Sequence, residues 1–362
     1  MTAPVPAPMT APNVARPTLR SQLFGTRTNT LITLVLFAVA AFLLGSVIRW
    51  AFIDSLWKET REGQCATVSG ACWAVIQARY RLILFGLYPY DEHWRSALAC
   101  LVALSMVLLS CMPRFWSLRR LVAIWLCGAG IFVLLMRGGV LGLPLVTTDK
   151  WGGLALTLYV YLSTVIIGVP LGIVLALGRQ SDLPAIRFVI TMVVDFVRSI
   201  PILAVVFCAA LFAPFILPGW LTPDTLYRVI LAFAFFFSCY YAMIVTGGIQ
   251  TVTPGQYDAA AALGLGYWRC RLLIVMPQAL RAALPATINH MVITLKETSV
   301  LIIIGMFELT ASGNAALQSS QWQQYYIEVY IFVSLIYFTL SFSLSRYGAY
   351  LERKMRVGSN AR

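Results

Sequence analysis

A chain of 362 residues that is 60% hydrophobic and only 11% charged, with a mean hydropathy of +0.80, is not a soluble domain, in which about a quarter of residues carry charge. Its formal charge of +13 would invite a nucleic-acid partner, but the arginines cluster beside long apolar runs, as the positive-inside rule places them in membrane proteins. With two isolated histidines and no paired-carboxylate or Ser-His set, the sequence offers neither a metal centre nor a catalytic constellation, and no enzyme is expected.

The first block is an expected disordered cytoplasmic tail over residues 1–30, in which Pro4, Pro6, Pro8, Pro12 and Pro17 stand among Ala and Thr. The apolar run at 31–50 begins too far from the start, and runs too long, for a cleaved signal peptide, so it reads as a retained anchor. A mixed-charge loop near 51–95 follows, then spans at 96–112 and 119–136, giving residues 31–150 three expected transmembrane helices. Cys65 and Cys72 both lie in the loop, where a disulfide can persist if that side is a periplasm. Their seven-residue spacing is not that of a zinc site.

The second block, 151–350, holds five expected spans, at 152–177, 187–213, 226–248, 286–305 and 327–345, before a short tail at 351–362. Gly168, Gly172 and Gly178 space small residues near a helix turn in the first of these, a pattern that lets helices approach closely in lipid. The next carries Asp195 and Arg198, three apart on one helical face and so able to pair. In the fourth, Lys296 and Glu297 fall near mid-membrane beside Thr298 and Ser299. A charge there is costly unless it faces the protein interior or a wet path, so a structural ion pair and a substrate-path role both stand. Trp322, Tyr325 and Tyr326 fit an interfacial belt. Basic residues at Arg16–Arg27, Arg114–Arg120, Arg179–Arg187, Arg269–Arg281 and Arg346–Arg362 share one side, whereas 214–225 and 306–326 carry none, so both termini are expected in the cytoplasm. The expected fold is an all-α integral membrane protein, a polytopic bundle of about eight transmembrane helices. The alternative reading, a secondary transporter or other polytopic membrane carrier, has no internal repeat to support it.

Pro254, Gly255 and Gln256 stop the sixth span and open a loop, 249–285, in which a helix is expected from Asp258 to Leu265, with Asp258 in its first turn. A break at Gly264 to Gly266 and a second helix with Arg269 and Arg271 facing water should follow. The stretch from Asp258 to Pro277 reads DAAAALGLGYWRCRLLIVMP. It resembles the EAA loop of ABC importer permeases at Asp258, Ala259, Ala260, Gly264, Ile274, Met276 and Pro277, with Asp in place of Glu and Met in place of Leu. VVDFVRSIPIL around Arg198 and Pro201 resembles a second signature of the polar amino acid permeases, and Asn289 to Leu301 a third. The likeness is closest, in length and N-terminal extension, to the general L-amino acid permease subunits of Gram-negative bacteria.

The resemblance implies a five-helix type I ABC importer core in the bacterial inner membrane. It implies that Asp258, Ala259, Ala260, Gly264, Ile274 and Pro277 couple to a separate ATPase; Asn289, Lys296, Glu297, Thr298, Ser299, Asp195 and Arg198 are candidate substrate-pathway residues, with structural pairing the other reading of Asp195 and Arg198. No Gly-x4-Gly-Lys-Ser/Thr loop is present, so ATP and Mg would be held by that partner. A periplasmic amino-acid-binding protein and a second, homologous permease subunit complete the implied assembly. Where the family often has Ala-Glu-Ile-x-Arg-Gly-Gly, this chain has Ala242-Met243-Ile244-Val245-Thr246-Gly247-Gly248, which favours a heterodimer whose other subunit supplies the missing charges.

Overall fold

The computed structural model describes residues 18–61 and 63–360. The expected tail over residues 1–17 lies outside these. Its remainder is helical: α1 spans Leu19–Phe24 and α2 spans Arg27–Ile48. Thr26 starts α2 with extended backbone and a side chain that accepts from the Asn29 N–H at 3.1 Å, satisfying one of the amides every helix start leaves open. A π-helical turn, Arg49–Ile53, lengthens the apolar stretch to 27 residues, and none of the residues of α2 is buried within the chain. A helix apolar on every side and of this length is suited to cross a membrane.

The described residues up to Ala74 form one compact unit and those from Val75 onward another. In the first, Leu56 and Cys72 make an isolated parallel bridge, Trp73 Nε1 donates to the Ala51 carbonyl at 2.7 Å, and Cys65 is joined to Cys72 by a disulfide with Cα atoms 5.6 Å apart.

The second unit begins with α3 (Ala74–Phe85) and a hairpin of α4 (His93–Cys111) and α5 (Leu118–Arg137). Arg95 is wholly buried in this hairpin. Its Nε donates to the Leu135 carbonyl at 2.7 Å and its Nη1 to the Pro144 carbonyl at 3.0 Å, so the guanidinium caps the C-terminal carbonyls of α5, where a cation is favoured. Gly138 permits the approach: its φ is +66° and an added Cβ would collide with Arg95 and Pro144.

The core consists of α6 (Gly153–Arg179), α7 (Pro184–Ser199), α8 (Ile202–Phe207), α9 (Ala213–Ile216), α10 (Thr225–Gln250), α11 (Pro254–Ala262), α12 (Tyr267–Cys270), α13 (Met276–Glu297), α14 (Leu309–Ala316) and α15 (Tyr326–Asn360). At its centre α6 packs along α10, and α10 along α13. A Cβ on Gly172 would lie 2.9 Å from the Ser238 carbonyl and one on Gly168 3.1 Å from that of Ala234, while one on Gly248 would strike the Ala279 carbonyl. The small residues set the interhelical distance, as expected where apolar burial alone does not drive helices together in lipid.

Seven described helices are long and apolar enough to cross a membrane, or eight if one bent pair counts as a span. That pair covers the expected span at 187–213, which is bent and not one continuous helix. The chain bends by 101° between Ser199 and Ile202, where Ile200 is extended (φ −96°, ψ 135°). Proline disfavours the helical region for the residue before it and has no N–H to continue the ladder, so Pro201 ends α7 and starts α8.

Candidate functional site

The loop with the DAAAALG motif is built around a left-handed glycine. Helix α11 starts at Pro254 with Thr253 before it, four residues earlier than expected, and Asp258 therefore lies mid-helix and caps nothing. Proline suits a first helical turn because its missing N–H has no partner there anyway. At the other end Gly264 takes φ +71°, its N–H donates to the Ala261 carbonyl at 2.9 Å, and the Leu265 N–H reaches back to the Ala260 carbonyl at 3.0 Å. These two bonds make a Schellman motif, which needs a residue free of Cβ strain at that one position. Nothing lies within 4 Å of where a Gly264 Cβ would be, so the requirement is conformational and not steric.

Packing splits the motif residues by helical phase. Ala260 is fully buried and joins Val252, Cys270, Met276 and Ala279 in a core cluster, with Ile274 packed against it. Asp258, Ala259 and Pro277 are exposed, as are Leu263 at 77% and Trp268 at 62%. Arg269 is exposed as expected, but Arg271 turns back onto α11, its guanidinium 5.4 Å from the Tyr257 ring centroid and 5.2 Å from that of Tyr267. A π-helical turn, Arg271–Val275, precedes Pro277, which has no N–H to give to the helix behind it. Beyond the turn the helix runs on without a break, so Tyr267–Ile304 is one stretch of 38 residues.

That stretch carries the expected pathway residues, and it divides them. Asn289, Ile293 and Lys296 recur at helical spacing on one exposed face, whereas Thr287, His290 and Thr294 are buried. Lys296 and Glu297 are adjacent, point roughly 100° apart around the helix, and form no ion pair with each other or with any described residue. The expected structural pair is therefore absent. Thr298 is buried and donates to the Leu295 carbonyl at 2.8 Å, and the Ser299 hydroxyl donates to the Lys296 carbonyl at 2.8 Å.

Asp195 and Arg198 are brought together, but loosely, at 3.8 Å. The nearer cation is Arg179 from the end of α6, whose Nη1 lies 3.0 Å from Asp195 Oδ1 and whose side chain is largely covered. Sequence spacing pointed to the local partner; a cation sixteen residues away closes only when α6 and α7 pack side by side. Arg198 also lies over the Tyr240 ring, 5.1 Å from its centroid.

Sequence reasoning missed Glu308 altogether. After the 3-10 turn Thr298–Ile304 and the left-handed Gly305, Glu308 begins α14 as a fully buried N-cap, accepting from the Thr310 and Ala311 amides at 2.8 Å each and from the Tyr337 hydroxyl at 2.8 Å. Burial raises its carboxyl above the usual carboxylate range, against the pull of those three donors. The Gly153 N–H donates to the Phe307 carbonyl at 2.7 Å and the Leu309 N–H to Thr157 Oγ1 at 3.0 Å. One acid thus ties α14 to α15, with α6 bonded alongside. The acid following an apolar run was visible as a start signal, but Tyr337, an aromatic in a lipid-facing pattern, gave none.

A family model described as the binding-protein-dependent transport system inner membrane component matches residues 168–357. The chain is 36% identical over 345 residues to the inner membrane amino-acid ABC transporter permease protein YhdY of Escherichia coli K12, covering 94% of this chain and 93% of that one. It is 31% identical over 422 residues to the glutamate/glutamine/aspartate/asparagine transport system permease protein BztC of Rhodobacter capsulatus, covering 98% and 97%. Among solved structures, an amino acid ABC transporter crystallised with histidines aligns at 30% identity with a TM-score of 0.50, over 56% of this chain and 92% of that one.

Proposed function

This chain belongs to the binding-protein-dependent transport system inner membrane components, and within them to the amino-acid ABC permeases; from that premise we propose that it is one of two permease subunits of an ATP-driven importer of polar or general L-amino acids, coupled to its ATPase through residues 254–277. The observation that carries the coupling assignment is the Schellman turn at Gly264, which holds Asp258, Leu263 and Trp268 out on a short helix anchored by Ala260 and Arg271. An apolar tip beside a carboxylate suits a cleft on a partner with an apolar floor and a basic rim. A push on α11 passes through the Ala260 cluster into a helix that is continuous to Ile304, so displacement at the tip reaches Asn289 and Lys296 without a hinge between. The basic residues of the loop support a cytoplasmic side for it, and with it the opposite side for the 305–325 end, from which a binding protein would deliver substrate.

The exposed stripe Asn289, Ile293 and Lys296 supports a pathway lined jointly with a second permease subunit: a lysine near mid-span, with no ion pair among the described residues, is tolerable only against water, substrate or a partner's acid. The uncharged run Ala242–Gly248 favours a companion that differs from this chain. The direct test is reconstitution of this chain, its companion permease and the ATPase in vesicles. ATP hydrolysis and uptake of labelled amino acid should both rise when a binding protein loaded with amino acid is added to the outside. Hydrolysis indifferent to the loaded binding protein would overturn the reading.

A further inference from the structure

At the end of the bundle that carries the 254–277 loop, a cleft of about 1350 Å³ opens between the α4–α5 hairpin, α13 and α15. It is larger than the roughly 300–1,000 Å³ of ordinary small-molecule sites. Its walls are apolar, from Leu121, Trp125, Leu284 and Leu351, and its rim carries Arg281 and Lys354. Two contacts hold the cleft's shape: the Tyr347 hydroxyl donates to the Cys111 carbonyl at 3.0 Å, and Lys354 Nζ stands 4.9 Å from the ring centroid of Trp116, whose own Nε1 donates to the Ser110 carbonyl at 3.1 Å. The cation is thus pinned by an indole at the mouth of an apolar trough.

Neither Arg281 nor Lys354 has an ion-pair partner among the described residues. Glu352 also lines the cleft and offsets one positive charge, yet Arg114, Arg119 and Arg120 flank Trp116 in the chain. An apolar trough between helices long enough to cross a membrane, with cations free of ion pairs among the described residues and an indole at its mouth, has the amphipathic layout of a phospholipid. Basic pockets between transmembrane helices select anionic headgroups. We propose that this cleft is a binding site for an anionic phospholipid, its acyl chains along Trp125 and Leu284 and its phosphate against Lys354 and Arg281, and that the bound lipid cements the α4–α5 hairpin to the core. This site is separate from the coupling surface, and neither assignment depends on the other.

The test uses the full-length protein purified in mild detergent and placed in nanodiscs of phosphatidylcholine alone or with phosphatidylglycerol. Native mass spectrometry of the wild type should show retained phosphatidylglycerol, and its thermal transition should be higher in the anionic discs. Arg281→Gln with Lys354→Gln should lower the apparent affinity for phosphatidylglycerol roughly tenfold to thirtyfold and remove that increment, read against the double variant's own transition in phosphatidylcholine. Arg353→Gln, an exposed cation off the cleft, should keep both. Equal retention of phosphatidylcholine and phosphatidylglycerol by the wild type, or an increment that survives the double substitution, would overturn the proposal, as would a copurified polypeptide in place of lipid.

Discussion

Lys296 and Glu297 show how far adjacency in sequence can mislead about contact in space. A charged pair side by side in an apolar run reads as mutual neutralisation, but successive positions on a helix diverge by about 100°, and here neither charge meets the other. The consequence is measurable. If they were partners, removing both would be milder than removing one, because no buried charge would be left alone. Without a shared contact, the losses of Lys296→Met and Glu297→Gln in uptake should add on a free-energy scale to within about 0.5 kcal/mol in the double variant. A double variant closer to wild type than either single would restore the ion pair. Glu308 presents the opposite case, a residue with no family signature that carries three hydrogen bonds at full burial. Glu308→Ala removes the cap of α14 and leaves the Tyr337 hydroxyl only the Thr298 hydroxyl, 3.3 Å away, and should lower stability by about 1–3 kcal/mol. Tyr337→Phe keeps the cap and should cost about 1 kcal/mol. The check is a thermal melt of the detergent-solubilised protein, and equal melting of Glu308→Ala and wild type would remove the network from the account. The raised carboxyl adds a sign: a folded-state value above the unfolded one means ionised Glu308 weakens the fold, so its stabilising contribution is full below the unfolded carboxylate range and declines as pH rises through the folded value.

Among elements, the spans were readable because apolar length is a strong signal, and the DAAAALG loop because glycine and proline punctuate it. What escaped were turns whose direction depends on one peptide unit. The bend at Pro201 was hidden inside a run apolar enough to pass for a straight helix, although Ile200-Pro201 contains the physical cause. The start of α11 was placed at Asp258 when Thr253 and Pro254 were the better start, so Asp258 loses its assigned role as a helix-dipole partner and keeps only that of an exposed charge. Gly264 keeps its role with a sharper reason. Because its neighbourhood is empty, substitutions should rank by backbone preference and not by size: Gly264→Asn close to wild type, Gly264→Val destabilising the loop by about 1–2 kcal/mol. Hydrogen-exchange protection of the Gly264 and Leu265 amides reads this directly. Equal protection in the Asn and Val variants would mean that the left-handed turn does not hold the loop.

For the molecule as a transporter subunit, composition and motif order were enough to place it among membrane permeases, whereas the division of labour between residues needed the fold. Asp195 was assigned Arg198, and its nearer partner Arg179 emerges only when α6 and α7 lie together. The six expected coupling residues separate into an anchor, buried Ala260 with partly buried Ile274, and an exposed set, Asp258, Ala259 and Pro277, with Gly264 as the turn between helices. Leu263 and Trp268 join that face, unannounced by the motif because an apolar residue in a loop looks like any other until its exposure is known. The central claim is that this face receives the ATPase. It is tested most directly by copurification of the tagged ATPase with full-length Leu263→Glu and Asp258→Lys variants, each checked for normal membrane insertion. An acid at an apolar tip, or a reversed charge beside it, should abolish ATPase recovery or its stimulation by amino-acid-loaded binding protein while the subunit remains in the membrane at wild-type levels. If both variants hold the ATPase tightly and support full uptake, residues 254–277 do not couple ATP hydrolysis to transport.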